Sequence, residues 1–259
     1  MRTFSLLLAA SSLFSTSLAG LEDAKYAKVL SNSNFDQLIA EPEVGTLTAF
    51  FAPWCGHCKN LEPTWTKVAQ AFENDDKCNV AILDADNSSN KHLASRYGVR
   101  GFPTIKFLSS KGKEPVEYSL PRTEDAFIKF LNEECGTQRA PGGGLTALAG
   151  RLPSLDKLAK EYIASGKAVR DDLYAQAKKL AGELNDRAAD IYLRTFDKLQ
   201  DNESYVQKEL ARIQKLLEKK STLASKKVDE LEIKQNVLNA FEASKGKAEE
   251  VKDRVKQEL

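Results

Sequence analysis

Two cysteines three positions apart, directly behind an apolar run, constrain this chain more than any other feature. Leu47-Thr48-Ala49-Phe50-Phe51 reads as a buried β-strand, and the segment that follows Pro53-Trp54-Cys55-Gly56-His57-Cys58-Lys59, through Phe72, reads as a helix. Cys55 then stands at a helix N-terminus. Unpaired backbone N–H groups and the positive end of the helix dipole stabilise a thiolate there. Cys58 lies one turn further in, near enough to close a small disulfide ring. A thiol pair held in this way can exchange disulfides with other proteins.

The surrounding pattern alternates strands and helices from about Lys25 to Gly136. Tyr26 to Leu30 reads as a strand, and Phe35 to Ile39 as a helix behind the capping residues Ser33 and Asn34. Pro63 inside the motif helix should kink it. Val80 to Leu83 is another strand, and Asn90 can cap a helix through Tyr97. Thr104 to Leu108 and Pro115 to Tyr118 flank the turn Lys111-Gly112-Lys113. Thr123 can cap a last helix, Glu124 to Asn132. Such alternation predicts an α/β sandwich around a mixed sheet over residues 25–136.

The composition then changes. Residues 137–153 include Pro141-Gly142-Gly143-Gly144 and read as a linker or extended link segment. Residues 154–246 carry helical periodicity, with apolar stripes such as Leu155, Leu158 and Tyr162 or Val206, Leu210, Ile213 and Leu217, enough for about five helices. Gly166 and the pair Asp201-Asn202 read as breaks. Residues 247–259 form a charged tail expected to fray. The whole is an α/β domain followed by an all-α bundle.

Composition narrows the function classes. The formal net charge of +1, with both signs interspersed, gives no reason to invoke nucleic acid or an anionic membrane surface. Residues 1–19 resemble a cleaved signal peptide: Arg2, an apolar stretch from Phe4 to Phe14, and the small-x-small triplet Ser17-Leu18-Ala19. That stretch is too short to span a bilayer, so no membrane insertion is expected after cleavage. The terminal Lys256-Gln257-Glu258-Leu259 is similar to a Lys-Asp-Glu-Leu retrieval signal, with Gln257 in the acidic position. Together these point to the endoplasmic reticulum lumen, where sequons at Asn87 and Asn202 can be used.

The remaining cysteines, Cys78 and Cys135, read as buried structural residues; whether they pair is left open by the sequence. Zinc is disfavoured, because a closed site wants four ligands and the chain has no second Cys-x-x-Cys and only two histidines, His57 and His92. No metal or cofactor is called for. His57, beside the first turn, is suited to stabilise the Cys55 thiolate as an imidazolium.

Phe51 to Lys59 resembles the active site of the protein disulfide isomerase family. Tyr97-Gly98-Val99-Arg100-Gly101-Phe102-Pro103-Thr104 is similar to the thioredoxin-fold segment that carries a cis-proline. Cys135-Gly136, the glycine-rich link and the helical repeat resemble family members that end in a helical D domain. The resemblance implies a thioredoxin fold, with Cys55 as nucleophile and Cys58 as resolving thiol. It implies a cis Pro103 whose backbone accepts an extended substrate segment, substrate contact at Trp54 and Gly56, and an Arg122 that tunes Cys58. One departure stands out. The family's buried glutamate and lysine are replaced here by Ala49 and Ile82, both at once, so neither charge is stranded.

The resulting expectation is a luminal thiol–disulfide oxidoreductase and isomerase. Its partners would be unfolded or misfolded secretory proteins, an upstream thiol oxidase or glutathione, and a retrieval receptor. The alternative is a chaperone or escort that holds clients through the helical domain with little redox turnover.

Overall fold

The computed structural model describes residues 20–41, 43–109 and 114–257, with side chains described through Glu242. The signal-peptide reading, the turn Lys111-Gly112-Lys113 and the last two residues of the retrieval-like tail fall outside them. The first half contains β1 (Lys28–Leu30), α1 (Phe35–Ile39), β2 (Gly45–Phe51), α2 (Gly56–Ala71), β3 (Cys78–Asp84), α3 (Lys91–Arg96), β4 (Thr104–Ser109), β5 (Val116–Glu117) and α4 (Glu124–Cys135). The strands form one mixed sheet in the order β1-β3-β2-β4-β5. β2 pairs parallel with β3 and antiparallel with β4, as anticipated for this α/β half.

Residue alternation explains why β2 is central. Leu47, Ala49 and Phe51 point into a core shared with α2 and α4, while Phe50 joins a second core with Phe35 of α1 and Leu93 of α3. A strand buried on both faces reads as a near-continuous apolar run, which Leu47 to Phe51 provides apart from the buried Thr48. Trp65 of α2, fully buried, meets Phe127 of α4 edge to face at 5.3 Å, and Tyr118 stacks on the same ring at 4.4 Å. Such aromatic pairs add about 0.5–1.5 kcal/mol each beyond area burial. Most expected elements lie within a residue or two of their predicted bounds. The first strand is shorter than expected because Tyr26 adopts a positive φ of 66° and cannot extend it. α4 runs three residues past Asn132, to Cys135, and stops at Gly136 in the left-handed conformation.

Cys78 and Cys135, whose pairing the sequence left open, form a disulfide that ties the start of β3 to the end of α4.

The second half consists of α5 (Pro153–Ala164), α6 (Lys167–Leu184), α7 (Arg187–Asp201), α8 (Tyr205–Leu217) and α9 (Ser225–Gln257). The five helices match the expected number. Their core is largely aliphatic around an aromatic cluster: Phe196 meets Tyr162 at 5.1 Å and Phe241 at 5.0 Å, each edge to face. Tyr192 is also buried, and its hydroxyl donates to Asp156 while accepting the Leu152 N–H, which pins the first turn of α5 to α7. Burial, then the Asp156 hydrogen bond, pushes the Tyr192 phenol well above its ordinary pKa. α9 extends past Gly246, as helix through residue 257.

The link segment turns tightly, with Arg139 bridged to Leu145 and Gly142, Gly143 and Gly144 at φ of 77°, 88° and 83°. Only glycine takes three such values in succession without strain. The turn is anchored on both sides. Glu124 of α4 accepts the Gly142 N–H at 2.6 Å, Glu232 of α9 accepts the Leu145 N–H at 2.7 Å, and Asn236 of α9 donates to the Thr146 and Ala149 carbonyls.

Candidate active site

The dithiol sits where β2 ends and α2 begins. Cys55 is the N-cap residue of α2, and its sulfur accepts the Cys58 N–H at 3.2 Å, one of the amide donors left over at a helix start. The two cysteines are disulfide-bonded, with Cα atoms 5.2 Å apart. Cys55 and Cys58 are 5% and 1% exposed. The residues around them are open: Pro53, Trp54, Gly56 and His57 are all exposed. A side-chain carbon added at Gly56 would meet nothing within 4 Å, so the outer face of the first turn is free for an approaching chain. His57 projects from that same turn.

The sheet brings a second segment to the site. The Phe102–Pro103 peptide bond is cis, as the resemblance implied. Phe102 lies edge-on to Trp54, ring centres 5.9 Å apart, which joins this segment to the dithiol loop. Arg122, in the turn before α4, donates to the Pro103 carbonyl at 3.0 Å. Its observed contact is therefore with the cis-proline segment, while a role toward Cys58 rests on the family resemblance.

Asp86 was not found by sequence reasoning. Its carboxylate accepts the Trp54 indole N–H at 2.8 Å, which holds an otherwise exposed ring in place. The loop is itself ordered, since Asp84 accepts the N–H groups of Asp86 and Asn87. The available signal was topological: parallel pairing sets Phe51 beside Asp84, so the loops after β2 and β3 emerge at the same sheet edge. That edge, at the carboxyl ends of parallel strands, is where α/β sheets place their sites.

Beneath the dithiol, Ala49 and Ile82 are direct neighbours in the β2–β3 register, both almost wholly buried, in the same cluster as Cys55 and Cys58. The departure from the family charge pair is thus a single apolar contact between adjacent strands. Cys78 and Cys135 bond to each other, and among the described residues no group of three or more potential ligands is placed to hold a metal ion.

Comparison with known proteins follows the same division. A model of the Thioredoxin family matches residues 26–133, and one of the Endoplasmic reticulum protein ERp29, C-terminal domain, matches residues 150–241. The chain is similar to protein disulfide-isomerase erp38 of Neurospora crassa, 47% identical over 199 residues, which are 75% of this chain and 53% of that one. It is 47% identical to protein disulfide-isomerase tigA of Aspergillus niger over 207 residues, 80% of this chain and 55% of the relative. Protein disulfide isomerase-like 2-2 of Oryza sativa subsp. japonica is 40% identical over 217 residues, 82% of this chain and 57% of the relative. The chain thus spans a little over half the length of these relatives.

Proposed function

We propose that this chain, which joins a thioredoxin domain to an ERp29-type helical domain and is similar to protein disulfide-isomerases, forms and rearranges disulfides in client proteins through Cys55 and Cys58. The observation that carries the proposal is the Cys55–Cys58 pair at the start of α2, with the Cys55 sulfur already accepting a helix N–H. In the oxidised form, a client thiolate attacks Cys55. The bond to Cys58 breaks, Cys58 leaves as a thiolate, and a mixed disulfide joins the client to Cys55. A second client thiolate then displaces Cys55, so the client loses two electrons and the dithiol gains them. In the reduced form, the Cys55 thiolate attacks a wrong client disulfide and either shuffles it or is displaced by Cys58.

Each neighbouring group has a part in this reading. The helix start, with His57 beside it in the same turn, stabilises the Cys55 thiolate, which makes Cys55 a good leaving group and the disulfide a ready oxidant. Trp54, held by Asp86, gives clients an apolar contact. The Pro103 segment offers extended backbone, fixed by Arg122. A luminal setting, reoxidation by a thiol oxidase or glutathione, and capture by a retrieval receptor that reads Lys256 to Leu259 complete the proposal. No helix among the described residues is long and apolar enough to cross a membrane.

One observation favours the escort alternative. The apolar Ala49–Ile82 contact leaves no carboxylate beneath the dithiol to take a proton from Cys58, so exchange should be slower than in relatives that have one. Refolding of a scrambled disulfide protein in glutathione buffer separates the readings. Recovery of native client that Cys55→Ser abolishes supports the enzyme. Equal client protection from aggregation by both forms, with no recovery of disulfides, supports the escort.

A further inference from the structure

The second disulfide lies beside the junction between the two domains. Arg139, in the link segment, is 8% exposed. Its Nε donates to Asp75, in the loop before β3, at 2.8 Å, and its Nη1 donates to Asp229 of α9 at 2.6 Å. One guanidinium therefore joins the thioredoxin domain to the helical domain. Burial alone would lower its pKa, but Asp75 and Asp229 outweigh it and hold Arg139 above its ordinary value. The thioredoxin side of this clamp is built from two segments. Asp75 is fixed because its other oxygen accepts the Lys77 and Cys78 N–H groups. The Arg139 backbone is fixed by Asn132 of α4, which accepts the Arg139 N–H and donates to its carbonyl. The covalent bond between the two segments is Cys78–Cys135, three residues beyond Asp75 and four before Arg139.

From this juxtaposition we propose that the Cys78–Cys135 disulfide is a redox-sensitive brace for the Arg139 clamp, so that its reduction loosens the docking of the helical domain on the thioredoxin domain. Cutting the bond frees the end of α4 and its attached link to move relative to the Asp75 loop. A buried arginine that loses one carboxylate is destabilised in place, so the contact to Asp229 weakens with it. The two cysteines differ in exposure: Cys78 is fully buried, whereas Cys135 is partly exposed. A thiolate of a reduced dithiol attacks the Cys135 sulfur, and Cys78 leaves and takes a proton. The second thiol of the reductant then displaces Cys135, which leaves as a thiol, so two electrons pass to the protein and the reductant ends as a disulfide. This inference does not depend on the activity proposed for Cys55 and Cys58.

The test is amide hydrogen exchange on the full chain in a Cys55→Ser/Cys58→Ser background, so that only the second disulfide responds. Treatment with a dithiol, with Cys135 alkylation to confirm reduction, should speed exchange in residues 137–150 at least tenfold while β2 and β3 stay protected. Asp229→Asn, which weakens the clamp with the disulfide intact, should reproduce that pattern. Protection of residues 137–150 that survives reduction would overturn the proposal. So would a loss of protection spread evenly through the sheet, which would mark the disulfide as a general staple. Cys78→Ala/Cys135→Ala supplies the same comparison without a reductant.

Discussion

The two domains bury their cores in different ways, and the difference locates the chemistry. In the thioredoxin domain, a sheet covered on both faces sends its parallel strands to one edge, where Trp54 with Cys55, Asp86 and the Pro103 segment converge from three separate stretches of chain. In the helical domain, amphipathic helices enclose an aromatic centre, and the buried polar contacts of Tyr192 with Asp156 and Leu152 fix the entry of α5. A sheet edge gathers loops, and loops can hold reactive groups at an open surface. A bundle gathers side chains inward. The first domain holds its dithiol at an open edge, and the second encloses its aromatic rings.

Predictions that break or sharpen this contrast differ in size. Cys55→Ser should reduce insulin-disulfide reduction to the uncatalysed background while the thermal melt of both domains stays intact; retained activity would move the chemistry elsewhere. Phe196→Ala removes the ring shared by Tyr162 and Phe241 and should cost about 3–5 kcal/mol. Denaturant unfolding should show that loss in the helical signal, with dithiol exchange on a small substrate unchanged. Ala49→Glu puts a carboxyl into a packed strand pair, where overpacking alone costs about 1–3 kcal/mol. Burial raises its folded pKa, so the added penalty is absent below the unfolded value, grows as pH rises past it, and levels off above the folded value. Adding Ile82→Lys should recover part of that loss, with a coupling of about 0.5–3 kcal/mol, and should speed exchange. Additive effects with no rate gain would separate this contact from the dithiol.

The smallest effect concerns acid. Glu209 of α8 is held at about 2, chiefly by its hydrogen bond from Arg212 and then, against burial, by Lys234 of α9. Because the folded pKa lies below the unfolded one, its contribution is complete above about pH 4.5 and disappears as pH falls toward about 2. Glu209→Gln should flatten that part of the pH–stability curve by up to about 1 kcal/mol, measured on the helical signal.

The sequence made legible whatever is local or periodic. The Cys55–Cys58 spacing, the apolar run in β2 and the helical stripes each declare themselves within a few turns of chain. The cis Pro103 and the relevance of Arg122 came from family resemblance, and the cis bond and the Arg122 contact to Pro103 are present. Contacts between distant segments could not be read. Asp86 reaches Trp54 across 32 residues, and Arg139 meets Asp75 and Asp229 across 64 and 90. The link was read only as a linker or extended segment, and what could not be read is that its three glycines form a tight turn whose neighbours are hydrogen-bonded to both domains.

The most direct test of the account is to trap its central intermediate. Cys58→Ser, with Cys55 as its one free thiol, mixed with a peptide that contains one disulfide, should accumulate a mixed disulfide because nothing within the site can resolve it. Mass-spectrometric mapping should place that link on Cys55, with Cys78 and Cys135 still joined to each other. A link found chiefly on Cys135, or no trapped adduct while exchange continues at the wild-type rate, would contradict it.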